Sequence, residues 1–505
     1  MDVLNTDGGK VAGVVSKDGR VRAFKGIPFA APPTGPLRWR APSPARAWQG
    51  VLNADRFGPS PVQPMHHRDQ IFFQAAQTIG AREAAYSEDC LTLNIWTPAG
   101  SEQARLPVML WFYGGGNRSG AGSQGIFDGE SLARKGVVLV TFNYRLGSLG
   151  FLAHPELSAE SETGNSGNQS LLDDIAALQW IKRNIAAFGG DPGCVTLFGE
   201  SAGAGHVNCL MASPLAKGLF HRAIGQSSGR FRGAGGGMVS LAQAEAAGVK
   251  FAQGQKAESL AALRLRPADE LVRPAGFDFI VDGHVLTQDL QSAFEHGDQH
   301  DVPLLLGSNS DEGTPYPQTA KASEFIDQAR IRYGSQVDDF IKLYPAGNDA
   351  EAHASGLAST RDSRFGWQIH QWSRLHRRSA KSPVFVYYFH RTPPFPPGAH
   401  FRELHPPERY GAFHSSEVIY AFNNLKLKDW PWEEADHRLS DAMAGYWTNF
   451  AKTGNPNGPG LTAWPGFEEN ASRVLHLGDD IAEGPAMHKP AMEFFDAVFA
   501  RQKTG

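Results

Sequence analysis

The sequence predicts an α/β fold with a large, mostly parallel central sheet and helices on both faces. Three observations predict it. Short runs that are apolar on successive residues recur along the chain, as strands buried on both faces of a parallel sheet must. Between them lie stretches whose apolar residues are spaced three and four apart, one face of a helix. The two patterns alternate, which is how strand–helix–strand units read. A chain of 505 residues that is 41% hydrophobic and 20% charged can fill such a core, and this composition excludes a disordered polymer.

The elements follow in order. Pro107 to Phe112 and Val137 to Phe142 read as the first buried strands. Leu171, Ile175, Leu178, Ile181 and Ile185 form the apolar stripe of a helix. Gly189-Gly190 stops that helix, and Asp191-Pro192 turns the chain into the next strand, Val195 to Phe198. Cys194, at the start of that strand, is expected to be a buried small apolar residue. Residues 235–300 are Ala-rich and helical, and residues 320–380 carry mixed helical patterns with many charges; both read as insertions into the sheet. Val302 to Leu306 and Pro383 to Phe389 are further strands, and the Pro-rich stretch Thr392 to Gly398 is a stiff loop. Gly233 to Gly237 reads as a mobile loop. No repeat interrupts the pattern, and residues 1–505 are expected to form a single domain.

Charge and cysteine content narrow the function. A net charge of -4 over this length argues against a nucleic-acid partner, which needs a basic face. Cys90, Cys194 and Cys209 are too few for a disulfide framework, which fits a reducing compartment or a fold that does not rely on bridges. The first residues, MDVLNTDGGK, carry no apolar run, so the chain is expected to start without a secretory signal. The expectation is a cytoplasmic protein, or a periplasmic or secreted one if a leader has been removed. The apolar runs are far shorter than the roughly 20 residues of a membrane helix, so no membrane partner is expected. His66-His67 with Asp69 is the nearest approach to a metal site. Adjacent histidines on a strand point opposite ways and no second ligand cluster accompanies them, so no metal is expected.

The chemistry is concentrated in Phe198 to His206, FGESAGAGH. Gly and Ser are turn residues, and this stretch could merely end a strand. It also matches G-x-S-x-G, in which a strand turns sharply into a helix and the serine is held exposed at the corner. A serine used as a nucleophile needs a base, a carboxylate to orient the base, and N–H donors for the oxyanion. Gly114-Gly115-Gly116, directly after the strand ending at Phe112, can offer such donors. A flexible turn is the plainer reading, and a phosphate loop would need a Gly-Lys-Ser/Thr ending that is missing. With 18 histidines, pattern alone does not single out the base.

The longer stretch Phe188 to Gly203 resembles the serine signature of the type-B carboxylesterase family, which includes the cholinesterases. Ser87 to Asn94, SEDCLTLN, is similar to that family's second signature. Phe24 to Ala30, Asn143 to Gly147 and Trp447 to Pro456 are further matches, so the resemblance extends over the whole chain. It implies an α/β-hydrolase fold and hydrolysis of a small-molecule carboxylic ester through an acyl-enzyme, without metal or organic cofactor, by a monomer or small homo-oligomer. Residue by residue it implies Ser201 as nucleophile, Glu312 as acid and His414 as base. It implies Gly115, Gly116 and the N–H of Ala202 as oxyanion hole, and Ser227 as a buried serine supporting the triad. The chain order Ser201, Glu312, His414 is the order of this fold. Glu200, beside the nucleophile, is expected to support the site or shape its field.

Departures from the family pattern bear on the substrate. Asn117 stands where an aromatic residue is usual and is expected to make one pocket wall polar. Pro61 stands about where the partner of Cys90 would be, so all three cysteines are expected to be free thiols. No tryptophan lies between Pro64 and Glu88 to meet a choline cation, so a cholinesterase is not expected. The pocket is expected to accept uncharged esters of short to medium length. A carbamate, amide or aryl/xenobiotic-ester hydrolase with the same triad remains an alternative. Intact Ser201, Glu312 and His414 count against a non-catalytic binding protein.

Overall fold

A computed structural model describes residues 3–64, 69–79, 85–233, 237–273, 276–319, 321–402, 409–470, 473–486 and 488–501. An eleven-stranded sheet crosses it. The runs that are apolar on successive residues form Leu106–Phe112, Val138–Phe142, Gly190–Glu200, Leu304–Asn309 and Val384–Phe389. With Arg222–Gln226 and Arg473–Leu477 they make a parallel block. Antiparallel strands flank it: Thr92–Thr97, Arg22–Pro28 and Val14–Val15 on one side, Ile481–Pro485 on the other.

The path of the chain creates the crevice. From Thr92–Thr97 it passes to Leu106–Phe112, returns to lay Val138–Phe142 between those two, then crosses to place Gly190–Glu200 on the far side of Leu106–Phe112. The connections therefore diverge at Leu106–Phe112, and ligands of open α/β sheets bind at the carboxyl ends of strands where this happens. The helix between these strands, Gln169–Asn184, buries Leu171, Ile175, Leu178 and Ile181 as their spacing requires. A tight turn, Ile185–Phe188, follows, and Gly189 ends it at φ 77°, a left-handed conformation that glycine adopts without steric cost.

Two local expectations are corrected. Asp191-Pro192 does not separate helix from strand. It lies inside Gly190–Glu200, where the pairing with Leu106–Phe112 shifts between Gly190 and Val195 because Pro192 has no N–H and Gly193 N–H turns back to Asp191 Oδ1 at 2.9 Å. Cys194, on this irregular start, is only half-buried and accepts a hydrogen bond from the Arg222 guanidinium at 3.1 Å. The three cysteines are free, with Cys90 and Cys209 buried.

The first insertion holds the helices Leu241–Gly254 and Leu290–His296. The second holds Ala322–Tyr333, Asp349–Thr360 and Trp367–Ser379. Between the last two runs a wide π-helical turn, Arg361–Gly366. One apolar core extends from Leu4 to Phe499. Among the described residues no helix is long and apolar enough to cross a membrane. His66 and His67, and residues 234–236 of the glycine loop, lie outside the described residues.

Candidate active site

Ser201 stands at the corner between Gly190–Glu200 and the helix Ala202–Ala212, with φ 55° and ψ -124°. A non-glycine residue held there carries strain of order ~1–3 kcal/mol. The surroundings enforce it. Ser201 N–H donates to the Gln226 carbonyl at 2.9 Å, which fixes the corner to the next strand. The flanking glycines allow the helix to approach: a Cβ on Gly203 would lie 2.0 Å from the Phe112 carbonyl oxygen, and one on Gly199 would lie 2.6 Å from Gly203 backbone.

His414 Nε2 lies 2.8 Å from Ser201 Oγ, and its Nδ1 lies 2.5 Å from Glu312 Oε2. These residues are 213 and 102 positions apart in the chain, and the sheet brings them together. Glu312 follows Leu304–Asn309, and its Oε1 accepts the Asn309 N–H at 2.8 Å. The loop carrying His414 is pinned to the Glu312 loop: Asp311 N–H donates to the Ala412 carbonyl at 3.1 Å, and Ala412 N–H donates to Asp311 Oδ2 at 3.0 Å. Gly411, at φ 58°, makes this approach possible, since a Cβ there would be 2.4 Å from the Asp311 carboxyl carbon.

Glu312 and His414 are almost fully buried. Burial pushes the Glu312 carboxyl up and the His414 imidazole down, because it disfavours the charged form of each. The 2.5 Å bond makes them titrate as a pair. The Asn309 N–H supports the carboxylate form. The His414 ring therefore stays neutral to lower pH than an ordinary histidine. Ser227 (φ 56°) is buried, and its hydroxyl also favours the ionised Glu312, although no well-aligned hydrogen bond joins them.

Glu200 is buried. Its Oε1 accepts the Ser415 hydroxyl at 2.6 Å and lies 3.2 Å from His414 Nε2. A further acid that sequence reading missed, Glu417, accepts Gln226 Nε2 at 3.0 Å and Asn309 Nδ2 at 2.6 Å. Trp447 Nε1 completes the set by donating to Gln226 Oε1 at 3.1 Å. Burial, with the charges of neighbouring carboxylates, raises both Glu200 and Glu417. The network links the ends of three strands to the histidine loop.

Gly116, Ser201 and Ala202 line one cavity of about 740 Å³, within the ~300–1,000 Å³ usual for ligand pockets. Gly115 and Gly116 adopt φ 119° and 63°. A Cβ on Gly115 would strike the Ser119 carbonyl at 2.1 Å, whereas Gly116 faces open space. Ala202 begins the helix, so its N–H has no intrahelical acceptor. Phe151, Phe231, Phe279 and Phe365 supply aromatic walls.

Asn117 does not make the polar wall expected of it. It is 1% exposed, because its amide is drawn into a buried chain. Asn117 Nδ2 donates to Asp278 Oδ1 at 2.7 Å, so its Oδ1 must accept from His206 Nε2 at 3.2 Å. His206 Nδ1 then accepts from Asp174, 2.6 Å away, in keeping with burial raising Asp174 far above the usual carboxylate range and holding His206 neutral. This chain anchors the residue after the glycine loop to the helix that follows Ser201. Nothing in the local pattern marks His206 or Asp174 for it.

A profile of the carboxylesterase family matches residues 1–495. The chain is 36% identical over 505 residues to a fumonisin B1 esterase of Sphingopyxis macrogoltabida, covering 96% of this chain and 88% of that protein. It is 33% identical to the para-nitrobenzyl esterase of Bacillus subtilis (strain 168), covering 95% of each. A solved thermophilic PNB esterase superposes with a TM-score of 0.82 at 30% identity, over 98% of this chain and 99% of that one.

Proposed function

Because the chain belongs to the carboxylesterase family and is a carboxylic-ester hydrolase of the α/β-hydrolase fold, we propose that Ser201, His414 and Glu312 are its catalytic triad. The observation that carries this is the continuous line of hydrogen-bond contacts from Glu312 through both nitrogens of His414 to Ser201 Oγ. His414 Nε2 removes the Ser201 proton as Oγ attacks the ester carbonyl. Glu312 holds the Nδ1–H tautomer and stabilises the imidazolium. The oxyanion is received by the N–H groups of Gly115, Gly116 and Ala202, each of which can be worth ~10²–10³ in turnover. His414 then gives its proton to the leaving alcohol, and water releases the acid by the reverse route.

In this reading Ser227, Glu200 and Glu417 are positioning residues. Ser227 supports Glu312, and Glu200 and Glu417 hold the histidine loop from two sides. Asn117 acts from behind the glycine loop. Residues 1–505 are one catalytic unit, and the two helical insertions wall the cavity. The substrate is a small-molecule ester of short to medium length with no cationic group. Three free thiols suit a reducing compartment.

The test is steady-state kinetics on p-nitrophenyl butyrate. Ser201→Ala and His414→Ala should fold and lose several orders of magnitude in turnover, and Glu312→Gln should lose a large part of it. A Ser201→Ala protein with near-normal turnover would end this reading.

A further inference from the structure

The cavity beside Ser201 is lined by an arginine that an uncharged substrate does not require. Arg230, Arg332 and Arg364 line it, and Asp278 is the one acidic residue among the described lining. Asp278 is already committed. Its Oδ2 meets Arg230 Nη1 at 2.8 Å, and its Oδ1 accepts from Asn117 Nδ2 and from its neighbour's N–H at Phe279. Asp278 therefore offsets Arg230, and no acidic residue of the described lining meets Arg364.

Arg364 is the informative one. It is solvent-exposed, and its described contacts are with aromatic faces: the guanidinium lies 4.5 Å from the Tyr316 ring centre and 5.4 Å from that of Phe365. Stacking leaves the N–H edge of a guanidinium available for a planar anion. Both rings pack on the catalytic base, Phe365 at 4.5 Å and Tyr316 at 5.9 Å from the His414 ring. Arg364 sits in the π-helical turn Arg361–Gly366. The extra residue in such a turn re-aims side chains away from the regular helical register, and turns of this kind are frequent at functional sites. Its charge reaches the reacting groups, since it lowers both His414 and Glu312.

We propose that Arg364 makes this cavity a site for esters carrying a carboxylate, on the acyl or the alcohol arm. The proposal rests on the esterase reading above and names its substrate class. It goes beyond the uncharged substrate expected from the sequence, where no pattern places these arginines around one cavity. A planar carboxylate accepts two parallel N–H bonds from a guanidinium, while the ester carbonyl stays at Ser201.

The experiment uses two matched ester pairs. Monobenzyl adipate and its terminal amide differ only in charge on the acyl arm. 4-(Butyryloxymethyl)benzoate and the corresponding benzamide differ only in charge on the alcohol arm. The readout is the ratio of kcat/KM, acid over amide, within each protein, so that general losses cancel. The wild type should favour the acid by roughly fivefold to tenfold in at least one pair, and the arm that responds identifies where the carboxylate binds. The ratio should fall toward unity in Arg364→Gln, persist in Arg364→Lys, and shrink as ionic strength rises. If Arg364→Gln does not fold, the wild-type ratio and its salt dependence still decide the matter. A ratio at or below unity in both pairs, or one unchanged in Arg364→Gln, overturns the proposal. With Ser201-dependent turnover of p-nitrophenyl butyrate intact, such a result removes this inference alone. Absence of Ser201-dependent turnover of every ester removes the esterase reading and this inference together.

Discussion

Gly203→Ala puts a single methyl group into the most crowded point of the nucleophile corner. The new Cβ would stand 2.0 Å from the Phe112 carbonyl oxygen, 2.6 Å from its carbon and 2.7 Å from the Tyr113 carbonyl oxygen. All three are backbone atoms at the end of the strand Leu106–Phe112 and the residue after it, so no side-chain rotation relieves the clash. Ordinary contact requires the helix Ala202–Ala212 and the strand to separate by about 1 Å or more. Overpacking of this kind costs roughly 1–3 kcal/mol of stability, and a 1 Å misplacement at a reacting centre can cost ~10²-fold in rate. Gly205→Ala is the internal control, because there the nearest contact is the Arg230 side chain at 3.0 Å, which can move. The assay is kcat/KM on p-nitrophenyl butyrate together with a thermal melt. Gly203→Ala should lose about 10²-fold in kcat/KM and melt at lower temperature, while Gly205→Ala stays within a few-fold of wild type. Wild-type turnover and melting in Gly203→Ala would refute the claim that this glycine holds the corner closed.

Two further predictions concern pH and the pocket. In the proposed triad the neutral form of His414 is the base, and burial lowers its pKa from the ordinary 6.5; protonation is therefore delayed on acidification, and the acid limb of a kcat/KM profile should have its midpoint below 6.5, a midpoint at or above that value contradicting the assignment. A p-nitrophenyl ester series should peak at a short or intermediate acyl chain, as each well-buried methylene adds up to ~1 kcal/mol until the cavity is full. A choline ester should be turned over less well than its uncharged isostere, and a preference for choline or a rise through palmitate would contradict this view of the cavity.

What the sequence made legible follows from range. Buried strands such as Val138–Phe142 are apolar on successive residues because both faces are covered, and Ser201 is marked by glycines that its own corner requires. The less uniform Arg22–Pro28 was visible only as part of a motif. Glu312 and His414 were reachable through the family resemblance. Their partners were not, because Asn309 with Glu417, Glu200 with Ser415 and His206 with Asp174 meet across separations of 108, 215 and 32 residues with no local periodicity to announce them. Asn117 was misplaced for the same reason: its polarity was evident, but the His206 and Asp278 side chains that turn it inward come from distant segments. Arg364 lies in a helical stretch dense in charge, and only the turn at Arg361–Gly366 brings it to the cavity.

The central claim is that Ser201 is the residue that becomes acylated. Its most direct test is peptide mass spectrometry of the wild-type protein after inactivation by an organophosphate. One stoichiometric phosphoryl adduct is expected, located on Ser201, with loss of activity in step with labelling and no adduct in Ser201→Ala. An adduct on any other residue, or full activity in protein labelled at Ser201, would contradict it.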